Sequence, residues 1–228
     1  MEQFKRYAIY YTPRPGVFAD RAAAWLGWDT EWGAVDHPRL AGVPQPLADL
    51  TATPRRYGFH GTIKPPFALA KGTDATALGQ AVGALAGRLR PVEMPGLQMQ
   101  QIGGFLALTP TGEQSGLMAL AATVVAALDA LRAPLSAADR ARRKPDALTA
   151  RQRDLLDQWG YPYVMDEFRF HLTLTNDLAP DMAEAVLPVA QDWFGPVLPQ
   201  PFRVEDLCLC AEAADGRFHL IHRYALTG

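Results

Sequence analysis

Polar and apolar residues alternate along Tyr57–Lys64, which is typical of a β-strand with two unlike faces. His60, Thr62 and Lys64 would share one face, while the residues between them are mostly apolar and would point to the core. The pair Pro65-Pro66 follows and cannot donate ladder hydrogen bonds, so the strand is expected to end just past Lys64. This pattern predicts a strand with one polar, titratable face that could line a site, and with an opposite apolar face that packs against the core.

A second segment, Arg169–Thr175, repeats the pattern. His171 and Thr173 are again two residues apart, with apolar residues between and beside them. His60 and His171 lie 111 positions apart, which is about half of the chain. The recurrence favours one paired site over two unrelated surface strands.

The remaining hydrophobic pattern predicts further strands and helices. Residues 28–55 are rich in Pro and Gly and are expected to form a long irregular connection. Strands are predicted at Tyr7–Tyr11, in a hairpin of Leu97–Ile102 with Phe105–Thr109, and in a hairpin of Phe202–Ala211 with Arg217–Tyr224. Helices are predicted around Phe18–Leu26, Leu78–Leu89, Leu117–Leu131 and Met182–Trp193, with Pro188 kinking or shortening the last.

A basic run, Arg140–Pro145, lies between two helix-start signals. Ser136 with Asp139 and Thr149 with Gln152 have capping-box spacing, so residues 132–160 are interpreted as a helical insertion. Such a run is commonly a solvated helix face. The alternative is that Arg142, Arg143 and Lys144 bind a second phosphate of a substrate.

The order of motif strand, helix and hairpin occurs twice, which indicates a duplication. The predicted fold class is α+β, with two antiparallel-sheet lobes, outer helices, a pseudo-twofold axis and a cleft between the lobes. We expect a single bilobal domain over residues 1–228, with motif halves of about 1–131 and 161–228 on either side of the insertion.

Composition agrees with a globular protein, because 49% of the residues are hydrophobic and 20% are charged. A net charge of −2 argues against binding bulk nucleic acid or an anionic membrane by charge alone. No secretory signal or membrane-spanning stretch is evident, so we expect a soluble, cytoplasmic protein with no evident protein partner. Cys208 and Cys210 are too close in sequence to link distant parts of the fold.

Two histidines across a cleft could divide acid and base work on a phosphodiester, one removing a proton and the other protonating the leaving group. Thr62 and Thr173 would donate hydrogen bonds to the non-bridging phosphate oxygens, and Lys64 could add positive charge. Because phosphoryl transfer depends mostly on positioning and electrostatics, such a set needs no metal and no covalent intermediate.

With these motifs, Arg56–Phe67, Trp159–Tyr163 and Phe168–His171 resemble the two-histidine phosphoesterase superfamily, in the branch associated with bacterial phosphonate metabolism. The resemblance implies a bilobal fold, no cofactor and metal-independent hydrolysis of cyclic or small phosphodiesters. It implies catalysis by the two His-x-Thr motifs, and its pathway suggests a phosphorylated ribosyl cyclic phosphate. Gly61 departs from the alanine usual in that branch, and we expect this to affect strand rigidity more than chemistry.

Four further residues are candidate substrate contacts, each with an ordinary structural alternative. Tyr57 could stack on a sugar or base, or be a core aromatic. Lys64 could bind phosphate, or be a solvated edge residue. Arg169 could bind phosphate, or pair with Asp166 or Glu167. Arg143 belongs to the basic insertion. A zinc site is disfavoured because the histidines lack metal-ligand spacing.

Two other functions remain open at this stage. The same motif pair would suit RNA-end processing, as a 2′,3′-cyclic phosphodiesterase or a 2′-5′ RNA ligase, which predicts a cationic groove and salt-sensitive binding. A non-catalytic nucleotide- or phosphate-binding module would keep the motifs only for recognition. That module would bind a nucleotide tightly without turnover.

Overall fold

A computed structural model describes residues 4–228 of the chain. Its strands are β1 Tyr7–Tyr11, β2 Trp28–Asp29, β3 Gly33–Ala34, β4 Gly61–Phe67, β5 Val92–Met94, β6 Leu97–Ile102, β7 Phe105–Pro110, β8 Leu172–Thr173, β9 Phe202–Val204, β10 Asp206–Glu212 and β11 Phe218–Ala225. Its α-helices are α1 Val17–Leu26, α2 Leu47–Leu50, α3 Ala75–Ala86, α4 Ser115–Ala127, α5 Ala137–Arg142, α6 Ala150–Trp159 and α7 Pro180–Phe194. Short 3-10 helices lie at Pro54–Arg56, Asp129–Leu131, Pro145–Ala147, Met165–Glu167 and Gly195–Val197.

Seven strands form one sheet in the order β11-β10-β1-β4-β8-β7-β6, and each neighbouring pair is antiparallel. The α+β class with an antiparallel sheet is therefore confirmed. The motif strands β4 and β8 are direct neighbours, joined by the pair Gly61–Leu172. They were expected to face each other across a gap. Instead the two sides of the molecule meet edge to edge at this pair, and the cleft lies over their shared face.

Each motif is followed by a hairpin that joins the sheet on the side of the other motif. The β6–β7 hairpin follows β4 in the chain but pairs with β8. The β10–β11 hairpin follows β8 but pairs with β1, which in turn pairs with β4. The two sides of the sheet are therefore made from both halves of the sequence.

Successive side chains of β1 point alternately to the helix-covered core and to the cleft side of the sheet. Tyr7, Ile9 and Tyr11 belong to the main core, together with buried residues of α1, α3, α4 and α7. Ala8 and Tyr10 belong to a smaller cluster with Cys208, Cys210 and Phe218. The face that carries Tyr10 is the one that floors the cleft.

The first motif strand differs from its predicted bounds. β4 begins only at Gly61 and continues through Pro65-Pro66 to Phe67, so the expected end at the prolines is wrong. The prolines are tolerated because the pairing with β1 shifts register there, between Lys64 and Phe67. Such a bulge leaves backbone groups of one strand unpaired, and a missing N–H costs little at that position.

Most other element predictions are confirmed, including the strand Tyr7–Tyr11 and the two capped helices of the insertion. Thr149 and Gln152 form the full capping box at the start of α6. Helix α7 runs through Pro188 without being shortened. The connection predicted as irregular contains the short β2–β3 hairpin and α2. These elements are too short to leave a periodic signal in the sequence.

Candidate active site

The pairing of β4 with β8 places the two motifs side by side. Gly61 is opposite Leu172, so one further step of the same antiparallel register sets His60 opposite Thr173 and Thr62 opposite His171. Because side chains alternate along a strand, the four motif side chains point to the face of the sheet opposite that of Gly61 and Leu172. On that face they line one cleft of about 1020 Å³. The structure thus brings both predicted motifs together, with local twofold symmetry about Gly61–Leu172.

Gly61 is needed for this close pairing. A Cβ at Gly61 would lie 2.2 Å from the ring of Phe170, which is almost fully buried in the core. A side chain here would therefore push against the residue that precedes His171. The expectation that Gly61 mainly affects strand rigidity was incomplete, because its missing side chain makes room for the second motif.

Both motif histidines are held by the same kind of hydrogen bond. The Nδ1 of His60 lies 2.8 Å from the carbonyl oxygen of Gly58, and the Nδ1 of His171 lies 2.8 Å from that of Arg169. A carbonyl oxygen only accepts, so Nδ1 carries the proton in each ring. The Nε2 of each ring is then the nitrogen left to accept or donate a proton in chemistry. Gly58 reaches its position through a φ of 70°, which favours glycine.

The two histidines have different surroundings. The ring of Tyr10 lies 3.9 Å from that of His60, at 31°, and Tyr57 approaches it at 5.8 Å. Burial lowers the pKa of His60 to about 4, with the charge of His171 acting in the same direction and the Gly58 carbonyl opposing both. Among residues 4–228, the one aromatic neighbour of His171 is Phe105, at 5.6 Å. The symmetric motifs therefore form an asymmetric pair.

Lys64 lines the cleft, but its ammonium group is directed into the fold. It is 1% exposed, and Nζ donates to the carbonyl oxygen of Val125 at 3.1 Å and to Oδ1 of Asp129 at 3.4 Å. Burial lowers the pKa of Lys64 to about 8, and Asp129 partly offsets that effect. The alternative of a solvated edge lysine is wrong. The interactions that Lys64 makes are with the last turn of α4 and the residues after it.

The other predicted contacts divide into two groups. Tyr57 and Arg143 line the cleft with the motifs. Tyr57 also stacks on Phe218 at 5.3 Å, so it is both a core and a cleft aromatic. Arg169 is exposed, lies outside the cleft lining and donates to the carbonyl oxygens of Asp166 and Phe168. The alternative ion pair of Arg169 with Asp166 is not formed, because Arg151 binds that carboxylate.

Sequence reasoning missed several residues that line the cleft. The most prominent are Arg6, Tyr10, Arg132, Tyr161, Asn176 and Glu212. Asn176 directly follows the second motif segment, whereas the other five come from elements remote from the motifs. Tyr10 left a usable signal, because it shares one face of β1 with Ala8, opposite the core residues. The others depend on how the elements pack, which no local pattern reports.

Residues 4–228 contain neither a cluster suited to a metal ion nor a helix suited to a membrane. No three His, Cys, Asp or Glu side chains of this part group in a way that could hold a metal ion. None of its helices combines the length and the apolar character needed to cross a bilayer.

Comparison with protein families gives one match that covers most of the chain. The model of the family described as "Protein of unknown function (DUF1045)" matches residues 62–219. The chain belongs to this family. The match includes Thr62 and the whole second motif, and its first residue is two positions after His60.

Curated relatives of this DUF1045 member share a name. A protein of Janthinobacterium sp. (strain Marseille), named ribose 1,5-bisphosphate phosphokinase PhnN, is 33% identical over 222 residues, covering 94% of this chain and 49% of the relative. One of the same name from Laribacter hongkongensis (strain HLHK9) is 36% identical over 212 residues, covering 92% of this chain and 49% of the relative. The chain thus spans about half the length of the curated relatives it matches.

Solved structures with a similar fold include phosphoesterases. One, described as a phosphoesterase, is 19% identical with a TM-score of 0.44, covering 98% of this chain and 99% of the other. E. coli LigT complexed with 3′-AMP is 17% identical with a TM-score of 0.46, covering 99% of this chain and 100% of the other.

Proposed function

We propose that this protein is a phosphodiesterase that opens the cyclic phosphate of a small phosphorylated sugar or nucleotide. The observation that carries the proposal is the arrangement of two His-x-Thr motifs on one face of neighbouring strands. Both imidazoles are fixed through Nδ1, which leaves two Nε2 atoms for proton transfer in one cleft. A cyclic phosphodiester requires such a pair, because its hydrolysis removes one proton and delivers another.

The surroundings of the two histidines favour different roles for them. His60 is neutral at physiological pH, because burial lowers its pKa to about 4, so it is suited to accept a proton from the attacking water. The water oxygen bonds to phosphorus and the ester P–O bond breaks. His171 must enter this step as an imidazolium, with Nδ1 still donating to the carbonyl oxygen of Arg169, and it gives its Nε2 proton to the leaving oxygen. Thr62 and Thr173 donate to the non-bridging oxygens, where charge redistributes in the transition state. The product is a phosphate monoester with a free hydroxyl group.

The name of the curated relatives suggests a particular substrate. They are named for a kinase that acts on ribose 1,5-bisphosphate. Hydrolysis of ribose 1,2-cyclic phosphate 5-phosphate at the bond to O2 produces that compound, and a role in phosphonate breakdown would fit it. The printed sequence contains no Gly-Lys pair, so it lacks the phosphate-binding loop common in kinases. We therefore infer that the kinase step belongs to the half of the relatives that this chain does not span.

Phosphorus NMR against a panel of cyclic phosphates tests the proposal. The panel comprises ribose 1,2-cyclic phosphate with and without a 5-phosphate, 2′,3′-cyclic nucleotides and ADP-ribose cyclic phosphate. We expect conversion of a cyclic resonance to a monoester, lost by about 100-fold or more in His60→Ala and in His171→Ala. Full activity in both variants would exclude the mechanism. Tight binding without any turnover would favour a recognition module instead.

A further inference from the structure

The cleft is larger than its reaction centre and carries several cations. Three of its arginines are already paired, because Arg6 binds Glu212, Arg132 binds Asp129 and Arg142 binds Asp139. Arg56 and Arg143 also line the cleft and have no carboxylate partner within residues 4–228. An unpaired guanidinium group in a concave site is available to an anionic ligand.

Arg143 is the better positioned of these two cations. Its guanidinium carbon lies 4.7 Å from the centre of the Tyr161 ring, a cation–π arrangement. Tyr161 itself packs against the small core cluster of Val125, Leu155 and Val164. Arg143 is therefore held in place by a buried support, whereas Arg56 is exposed.

The backbone after Arg143 is strained in a way that maintains this position. Arg143 is the C-cap of α5, and the next residue, Lys144, has a φ of 48°. A non-glycine residue in this left-handed region is uncommon and costs about 1–3 kcal/mol, so it persists where the surroundings impose it. Pro145 then starts a 3-10 turn that leads towards α6. The strain ends α5 at the residue that faces the cleft.

A neutral donor adjoins the same region. Tyr10 lines the cleft, is fully buried, and its hydroxyl group has no hydrogen-bond partner within residues 4–228. Tyr57 and Tyr161 are near enough to influence its titration, and burial raises the pKa of Tyr10 well above its ordinary value. The hydroxyl thus keeps its proton and remains a donor. An orphaned buried hydroxyl is costly, and a ligand oxygen would satisfy it.

We propose that Arg143, supported by Tyr161, and the Tyr10 hydroxyl form a subsite for a second phosphate group, a terminal monoester that does not react. This assignment rests on the proposed function, because it takes the His-x-Thr pair as the site of the reacting diester. It makes the protein selective for sugars that carry a second phosphate. Of the three residues first suggested to bind a second phosphate, Arg142, Arg143 and Lys144, it selects Arg143, since Arg142 is paired and Lys144 lies outside the cleft lining.

Substrate discrimination in Arg143 variants tests this subsite. For Arg143→Gln, kcat/KM for ribose 1,2-cyclic phosphate 5-phosphate should fall by about 10- to 100-fold, because a charge-assisted hydrogen bond is lost. The value for ribose 1,2-cyclic phosphate should change by less than about 3-fold. Arg143→Lys should retain part of the discrimination, since it keeps the charge but not the planar fork. An equal fall for both compounds, or no fall for either, would overturn the proposal.

Arg140→Gln is the matched control, because Arg140 lies on the same helix but pairs with Asp157 outside the cleft. It should leave kcat/KM for both compounds unchanged. If the wild type hydrolyses neither compound, a ribose 1,2-cyclic phosphate is excluded as the substrate, and binding alone decides whether the subsite exists. In calorimetry, Arg143→Gln should then weaken binding of ribose 5-phosphate by about 10- to 100-fold, with Arg140→Gln unaffected. No measurable binding to the wild type, or equal affinity in all variants, would refute the subsite.

Discussion

At the residue scale, one stacked tyrosine accounts for much of the difference between the two motif histidines. The hydrogen bonds to Nδ1 are alike, so the tautomers are the same. Tyr10 covers the ring of His60, while His171 has no comparable partner among the described residues. Desolvation disfavours the imidazolium form and lowers the pKa of His60, which is why the proposed mechanism gives His60 the role of base.

Removing the Tyr10 ring should therefore raise the pKa of His60. In the wild type, base activity is lost as pH falls through about 4, because His60 becomes protonated. In Tyr10→Leu we expect this acid limb of kcat/KM to move up by about 1–2 pH units, as water reaches the ring. Titration of the His60 imidazole by NMR reports the same shift without a substrate. Tyr10→Phe retains the ring and should keep the limb in place; coincident limbs in Tyr10→Leu and the wild type would contradict the explanation.

Gly61 gives a prediction about stability. In Gly61→Ala, the new Cβ meets the Phe170 ring and must displace it, so the free energy of unfolding should fall by about 1–3 kcal/mol. Urea denaturation measures the change. Gly195→Ala is the control, because a Cβ there would meet nothing within 4 Å. Equal stability of Gly61→Ala and the wild type would show that β4 and β8 can separate without cost.

At the element scale, the motif strand is tied to the end of α4 by a buried ion pair. Lys64 binds Asp129, which also binds Arg132, and Arg132 donates to the carbonyl oxygen of Gln158 in α6. This chain of contacts connects β4 to the insertion that carries Arg143. Lys64 is thus interpreted as a structural link, and its proposed contact with phosphate has no geometric support beyond its place in the cleft lining.

The buried lysine should leave a signature in the pH dependence of stability. The folded-state pKa of Lys64 is about 8, below its ordinary value of 10.5, so the unfolded chain binds more protons between these values. The free energy of unfolding contributed by Lys64 should therefore rise with pH from about 8 to 10.5. Urea denaturation of the wild type and of Lys64→Met across this pH range isolates the contribution of Lys64 to the free energy of unfolding, because the two proteins share all other titratable groups. A difference between them that is flat with pH would contradict the burial of a charged lysine.

The sequence predicted helices and strands well where periodicity and capping residues agree, as in α6 with Thr149. It failed at β4, because the tolerance for Pro65-Pro66 comes from a bulge against β1, a partner distant in sequence. The motif residues of the candidate site could be predicted because their pattern recurs. Tyr161 and Arg132 could not, since they reach the cleft only through the packing of the insertion.

At the scale of the whole molecule, each side of the large sheet combines strands from both halves of the chain. The strands on the first motif's side are β11, β10, β1 and β4, and two of them follow the second motif in the chain. The strands on the other side include β7 and β6, which precede it. Each side therefore depends on a hairpin supplied by the opposite half of the chain.

This exchange predicts how fragments of the protein behave. Residues 4–131 retain β1 without β10, and β4 and β7 without β8, so three strands of the large sheet lose a partner and expose apolar faces. Residues 132–228 keep the β10–β11 hairpin, but β10 loses its pairing with β1, in which Ala211 is opposite Tyr7 and Cys210 is opposite Ala8. We expect each fragment alone to lack a cooperative thermal transition by circular dichroism. Mixed or co-expressed, they should associate and recover it, because the missing pairings form between them. A cooperative transition in either fragment alone would show that one half of the sequence is a lobe by itself, and that the exchanged hairpins are not what unites the two motifs.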